Sequence, residues 1–212
     1  MRNKIKKFID DPKAYIFLNI SGIRSTIYIN ICSIYTSILA WLKGVNLKGK
    51  IECYGIPYLM RYPSSQIIIG KDVKINSSFK SNNIGMLSRS RITTNTKRAI
   101  IEINSHVGMS AITISAFNKI TIGSDTLIGG NVLITDSDWH SITPIYRFSD
   151  EKHVKTAPVS IGKNVFIGTR TIILKGSVIG DNSVIGAGSV VCGTIPPNVI
   201  AGGNPCVVIK KI

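Results

Sequence analysis

Acidic residues are scarce in this 212-residue chain: 11 Asp and Glu stand against 26 Lys and Arg, a formal net charge of +15. A surplus of that size favours an anionic partner, whether a phosphorylated cofactor, an acidic glycan, an anionic membrane face or nucleic acid. What is missing weighs against nucleic acid, because the chain has no zinc-finger spacing, no arginine-rich helix and no aromatic-basic ribonucleoprotein motif. The four cysteines, Cys32, Cys53, Cys192 and Cys206, make no C-x-x-C pair and no grouping with the three histidines. They read as reduced thiols of a cytoplasmic protein, and no metal is expected. Charged residues are only 17% of the chain while hydrophobic ones reach 44%, which excludes disorder of the low-hydropathy, high-charge kind. Asp10, Asp11 and Pro12 interrupt the basic start where a secretory leader needs a compact apolar run, so the expected setting is inside the cell.

What is present is a short internal repeat. From Ile161 the chain reads IGKNVF, IGTRTI, ILKGSV, IGDNSV, IGAGSV and VCGTIP, with an aliphatic residue at Ile161, Ile167, Ile173, Ile179, Ile185 and Val191. A period of six fits neither the α-helical spacing nor the two-residue alternation of a long strand, so each unit is a short strand plus a corner. Three units close a triangular coil, and stacked coils bury the aliphatic positions along one axis. The same spacing recurs earlier at Ile103, Met109, Ile122, Ile128 and Ile134, with one slip near Phe117 to Ile120, and Ile69-Gly70 begins a further unit. A prism from near residue 50 to about 200 is expected. Residues 136–158 abandon the period and must loop out; long excursions from a regular scaffold are generally functional or disordered. The segment from Ile195, IPPNVIAGGNPCVVIKKI, is expected to cap the open end of the stack.

The first 48 residues differ. Between Arg24 and Lys43 no charge interrupts STIYINICSIYTSILAWL, a run at the lower edge of bilayer-spanning length. Two readings stand: one or two amphipathic helices packed on the prism, favoured on hydropathy, and peripheral attachment to the inner face of the membrane. Lys4, Lys6, Lys7, Arg24 and Lys43 suit the second.

The six-residue units, the TDSDWHSI segment, PVSIGKNVFIG, VIGAGSVV and the closing proline-glycine string resemble the maltose, galactoside and surface-polysaccharide O-acetyltransferases of the hexapeptide family. The resemblance covers residues 100–212 strongly and 50–100 loosely. It implies an all-β, left-handed parallel β-helix assembled as a homotrimer, with acetyl-CoA in clefts between subunits. Left-handedness is carried by the resemblance alone, because right-handed crossovers are the general rule for parallel strands.

Acetyl transfer to an alcohol needs a base, and imidazole titrates near working pH. His140, in the arm after a repeat strand, matches the family's catalytic histidine. Asp138 is expected to orient it. Asp136, Trp139 and Ser110 are expected on the acceptor side, Ser110 standing near where the galactoside and maltose enzymes often carry an asparagine. The amide around Thr169 is expected to hold the developing oxyanion. Phe166, Thr169, Ala187, Gly193 and Lys210 take positions where the family holds CoA; Gly193 replaces a lysine found in some relatives. His106 and His153 read as surface residues, His153 lying among Glu151, Lys152 and Lys155. Cys192 is expected to point into the core. The resemblance implies O-acetylation of a surface-polysaccharide sugar or its precursor. Serine, an amino sugar or an antibiotic as acceptor, and a noncatalytic scaffold, stay open.

Overall fold

The computed structural model describes residues 9–148 and 153–212, so Lys4, Lys6, Lys7, Glu151 and Lys152 lie outside the described residues. Among the described residues a long helix, α1 (Pro12–Leu42), precedes coils of three strands each. The first coil holds β1 (Asn46–Leu47), β2 (Ile51–Tyr54) and β3 (Tyr58–Met60). The second holds β4 (Gln66–Ile69), β5 (Val73–Asn76) and β6 (Arg91–Thr94), and the third β7 (Ile100–Ile103), β8 (Gly108–Ser110) and β9 (Thr113–Ala116). The fourth coil is β10 (Lys119–Ile122), β11 (Leu127–Gly130) and β12 (Leu133–Thr135). After residues 136–158 the fifth resumes with β13 (Val159–Ile161), β14 (Phe166–Ile167) and β15 (Ile172–Ile173). The sixth is β16 (Val178–Ile179), β17 (Val184–Ile185) and β18 (Val190–Val191), and the chain ends through β19 (Thr194–Ile195), β20 (Val199–Gly202) and β21 (Val207–Lys211).

Every third strand falls in the same sheet, so the described residues form three parallel sheets around one axis. Sheet A starts each coil, sheet B follows and sheet C closes it. This is a left-handed parallel β-helix of six-residue units. The repeat positions Ile161, Ile167, Ile173, Ile179, Ile185 and Val191 are all buried to 2% exposure or less, which places the period-six residues on the axis. Replacing Ile167 with Val removes one methylene from that stack and is expected to cost about 1 kcal/mol, a fall in Tm of about 2–4 °C by circular dichroism.

The single slip expected near Phe117 is the net of two irregularities of opposite sign. Ile114, not Ser115, pairs with Ile134, so the turn after Met109 is one residue short; the stretch from there to Ile122 is two residues long, which leaves the one-residue slip. The last strand, β21, turns back antiparallel on β20 at the upper edge of sheet B.

In the N-terminal segment Pro12–Leu42 form one continuous helix, and it is not amphipathic. Asp11 caps it, accepting the Ala14 N–H at 2.9 Å, and Pro12 opens its first turn, where the missing N–H costs nothing. Only Cys32, Thr36 and Ala40, one residue per turn, are buried, and they seat α1 across β1 and β2 at the open end of the first coil. Cys53 N–H donates to Ser33 Oγ at 2.9 Å and fixes that contact.

Candidate active site

Residues 136–158 leave sheet C after β12 and return to sheet A at β13, at the edge between those sheets. Three features anchor this arm at its base. Ser137 bridges Thr156 antiparallel, flanked by Asp138 N–H to Lys155 O (3.1 Å) and Ala157 N–H to Asp136 O (3.0 Å). Asp136 is fully buried, and its two carboxylate oxygens accept the Phe117 and Asn118 N–H groups at 2.7 and 2.8 Å. Burial pushes the Asp136 carboxyl above its ordinary range, against the pull of these amides. The expectation that Asp136 meets substrate is therefore corrected: both its oxygens hold the arm onto the lengthened Phe117 corner. Asp138 carries the third anchor, an ion pair to Lys175 at 2.6 Å.

Lys175 holds Asp138 Oδ1, and among the described residues no hydrogen bond joins the Asp138 carboxylate to the His140 ring. The two residues meet through the backbone: the His140 N–H donates to Asp138 O at 2.7 Å across Trp139, whose φ is +64°. A bond between residues two apart across a positive φ is a γ-turn, a strained arrangement for a bulky residue. Trp139 is held in it by its N–H to Ser137 Oγ (3.1 Å), its Nε1 to Thr135 Oγ1 (3.0 Å) and an edge contact with the Phe117 ring at 5.1 Å. Half of the indole stays open, so an apolar face remains for a ligand. The result is an exposed His140 ring fixed at its backbone by a rigid coil. Removing the Lys175 ammonium by Lys175→Ala is expected to cost about 1 kcal/mol, since both partners are partly exposed. Limited proteolysis should cut the arm of that variant faster than the wild type.

The cofactor-side residues divide between two edges. Thr169 and Ala187 lie at the edge between sheets B and C, stacked in successive coils. Corner amides at this position face the next coil: Lys163 N–H is taken by Asp181 Oδ1 at 2.8 Å, whereas over Thr169 stands Ala187, which offers no side-chain acceptor. Thr169 N–H has no partner among the described residues, while its Oγ1 donates to Gly130 O at 2.5 Å. Phe166 is in register with Leu127 below and Val184 above, Val184 with Ile200, and Ile200 with Lys210, so sheet B carries an apolar ladder that ends on a cation. Phe166 and Leu127 are about half exposed, as a channel for an apolar arm requires. Gly193 is not part of this group; it sits above the arm at the edge between sheets C and A, with open space beside it.

Ser110 is buried in the shortened corner, where its Oγ accepts Asn76 Nδ2 at 3.1 Å, so it is corrected from acceptor contact to packing residue. Cys192 is exposed, because Val191 takes the axial position and the next side chain points out. His106 is a surface residue flanked by Asp125 (3.1 Å) and Asp72 (3.6 Å), and His153 stacks on Tyr146 at 3.8 Å. Two features escaped the sequence reading. Residues 77–90 form a second excursion, at the edge between sheets B and C, pinned by Asn131 to Leu87 N–H (2.8 Å) and Gly85 O (3.0 Å). Arg170, at φ +58°, exposes its guanidinium next to Thr169. A loss of hexapeptide register between Asn76 and Arg91 was the available signal for the first.

One side of a coil separates Thr169 from Lys175, six residues at about 3.3 Å each, or roughly 20 Å. His140, tied to Lys175 through Asp138, and the Thr169 amide therefore stand on different edges of one prism.

Residues 158–193 match the bacterial transferase hexapeptide (six repeats) family. The chain is 42% identical over 114 residues to a galactoside O-acetyltransferase of Escherichia coli, covering 51% of this chain and 55% of that protein. It is 35% identical over 117 residues to WbbJ of the same organism, described as a lipopolysaccharide biosynthesis O-acetyl transferase, covering 52% and 57%. It thus spans a little over half the length of these relatives. Among solved structures, a mutant of AntD, an N-acyltransferase from Bacillus cereus, superposes with TM-score 0.61 at 19% identity over 82% of this chain and 88% of that one, a likeness of fold. Six-residue period, three-sided coil and relatives agree: residues 158–193 carry hexapeptide repeats within a parallel β-helix, and about half of the chain is similar to a galactoside and a lipopolysaccharide-biosynthesis O-acetyltransferase.

Proposed function

We propose that the protein transfers the acetyl group of acetyl-CoA to a hydroxyl of a surface-polysaccharide sugar or its nucleotide- or lipid-linked precursor. The observation that carries this reading is His140, exposed on a strained turn that three separate anchors tie to the coil. An outward-facing imidazole on an anchored backbone is what proton removal from an acceptor hydroxyl requires.

In this reaction the His140 imidazole takes the hydroxyl proton as the sugar oxygen bonds to the thioester carbonyl carbon. Negative charge gathers on the former carbonyl oxygen, where the unpaired Thr169 N–H donates. The carbon–sulfur bond then breaks, the acetyl ester forms, and the protonated His140 returns its proton to the departing CoA sulfur. The apolar ladder through Phe166 suits the pantetheine arm, with Lys210 and Arg170 as cations for phosphate. Trp139 offers its open face to the sugar ring.

Because Lys175, which anchors the arm that carries His140, and Thr169 stand on different edges, roughly 20 Å apart along one coil, the reaction needs the arm of one copy against the sheet B and C edge of another. A homotrimer, in which each cleft receives one edge of each type, satisfies this. The test is incubation of the purified protein with acetyl-CoA and a panel of nucleotide sugars and glycans, followed by mass spectrometry. A gain of one acetyl group on a sugar supports the reading; transfer only to amines, or no transfer with any acceptor, rejects it.

A further inference from the structure

The helix α1 carries apolar surface that the prism does not use. Seven isoleucines from Ile16 to Ile38, three or four residues apart and followed by Trp41, lie on the side opposite Cys32, Thr36 and Ala40. They are between 50% and 77% exposed, and Phe17, Leu18 and Leu42 beside them are as open. Over 31 residues the helix is about 46 Å long, so its N-terminal half overhangs the coil end that its C-terminal half covers.

We propose that α1 lies flat in the surface of an anionic lipid bilayer, with the prism standing end-on above it. Three observations select this occupant. First, the apolar face is broader than the narrow seam of a coiled coil, because Phe17, Tyr28, Tyr35 and Leu42 are exposed along one flank of the isoleucine stripe. Second, α1 contains Lys13 and Arg24 and no acidic residue. An anionic leaflet attracts these two cations. Third, at its C-terminal end Lys43, Arg89 and Arg91 surround the Tyr58 ring at 5.5, 5.2 and 4.4 Å. None of these three cations has a carboxylate partner among the described residues. Uncompensated cations gathered beside an exposed apolar helix fit lipid phosphates.

The helix does not cross the bilayer. Its residues Cys32 to Ala40 are packed on the coil, Ser33 accepts the Cys53 N–H, and Lys43 Nζ donates to Leu59 O at 2.7 Å. A spanning helix would have to give up these contacts.

The inference is independent of the catalytic reading and is tested without acetyl transfer. The full chain is floated with vesicles of phosphatidylcholine alone, and with vesicles containing phosphatidylglycerol. Flotation is expected with the anionic vesicles and to weaken in high salt. The double variant Ile34→Ser/Trp41→Ser, which alters only exposed positions, is expected to stay at the bottom of the gradient. Arg89→Gln/Arg91→Gln should bind roughly 25-fold more weakly, at about fivefold per surface charge. Absence of flotation by the folded wild type overturns the proposal. So does resistance to alkaline carbonate extraction, which marks a spanning helix. A drop in oligomer mass in the Ile34/Trp41 variant without loss of flotation would assign the stripe to a second copy and overturn it as well.

Discussion

His140→Ala is expected to lower kcat by about 10²–10⁴-fold while leaving the melting curve unchanged. The size follows from the job: a sugar hydroxyl is a weak nucleophile until its proton is being removed, and a positioned general base contributes a factor in that range. The unchanged stability follows from the structure, because the ring is exposed and makes no hydrogen bond among the described residues; its anchoring runs through the backbone N–H to Asp138, which alanine keeps. Acetyl-CoA binding should also survive, since the apolar ladder of Phe166 and the Thr169 corner belong to a different edge of the prism. The measurements are steady-state acetyl transfer, the KM for acetyl-CoA and a thermal melt. Equal turnover in wild type and variant would remove the imidazole from the chemistry, and a collapse in stability would make His140 structural. The separation of edges adds a second readout: activity per chain should fall on dilution below the assembly's dissociation point, which a site complete in one chain would not do.

The repeat was legible because a six-residue period is written in bulky residues whose axial burial leaves little choice of side chain. Ile161 to Val191 could be placed by counting alone. The arm was legible for the opposite reason, since Asp136 onward contains nothing that could occupy the axis. Roles within the arm were not. Asp136, Asp138 and His140 are close in sequence, yet one is sealed against two amides, one is bound to Lys175 and one is open. That division depends on the Phe117 corner and on Lys175, 19 and 37 residues distant from Asp136 and Asp138. Ser110 failed similarly, because the shortened turn after Met109 shifts every later side chain of that corner, and a one-residue shift exchanges inside for outside. The helix was legible as apolar and uninterrupted, but its single buried line of small residues becomes meaningful only against the first coil.

Asp136 should be the most costly position in the arm. Asp136→Ala leaves the Phe117 and Asn118 N–H groups without their acceptor, at roughly 1–3 kcal/mol for each donor that water cannot reach. Asn118 is at the surface and is partly rescued, so about 2–4 kcal/mol is expected, a fall in Tm of roughly 5–15 °C. Activity should fall with it, because Trp139 and His140 ride on the same base. Asp136→Asn is the sharper probe: its amide keeps one acceptor but points an NH2 at the second donor. The two side chains also differ with pH. Burial raises the folded-state pKa of Asp136 above the ordinary 3.8, so the acid form is the one the fold favours. Its titration contributes stability that is complete below the ordinary value and is lost as pH rises through the raised one. The amide introduced by Asp136→Asn does not titrate. Denaturant melts of both proteins from about pH 3 to about pH 7 should therefore show the wild type's advantage largest at the acid end and shrinking upward. An advantage that grows with pH would mean the amides outweigh burial and hold the carboxylate ionised, reversing the sign assigned to this anchor.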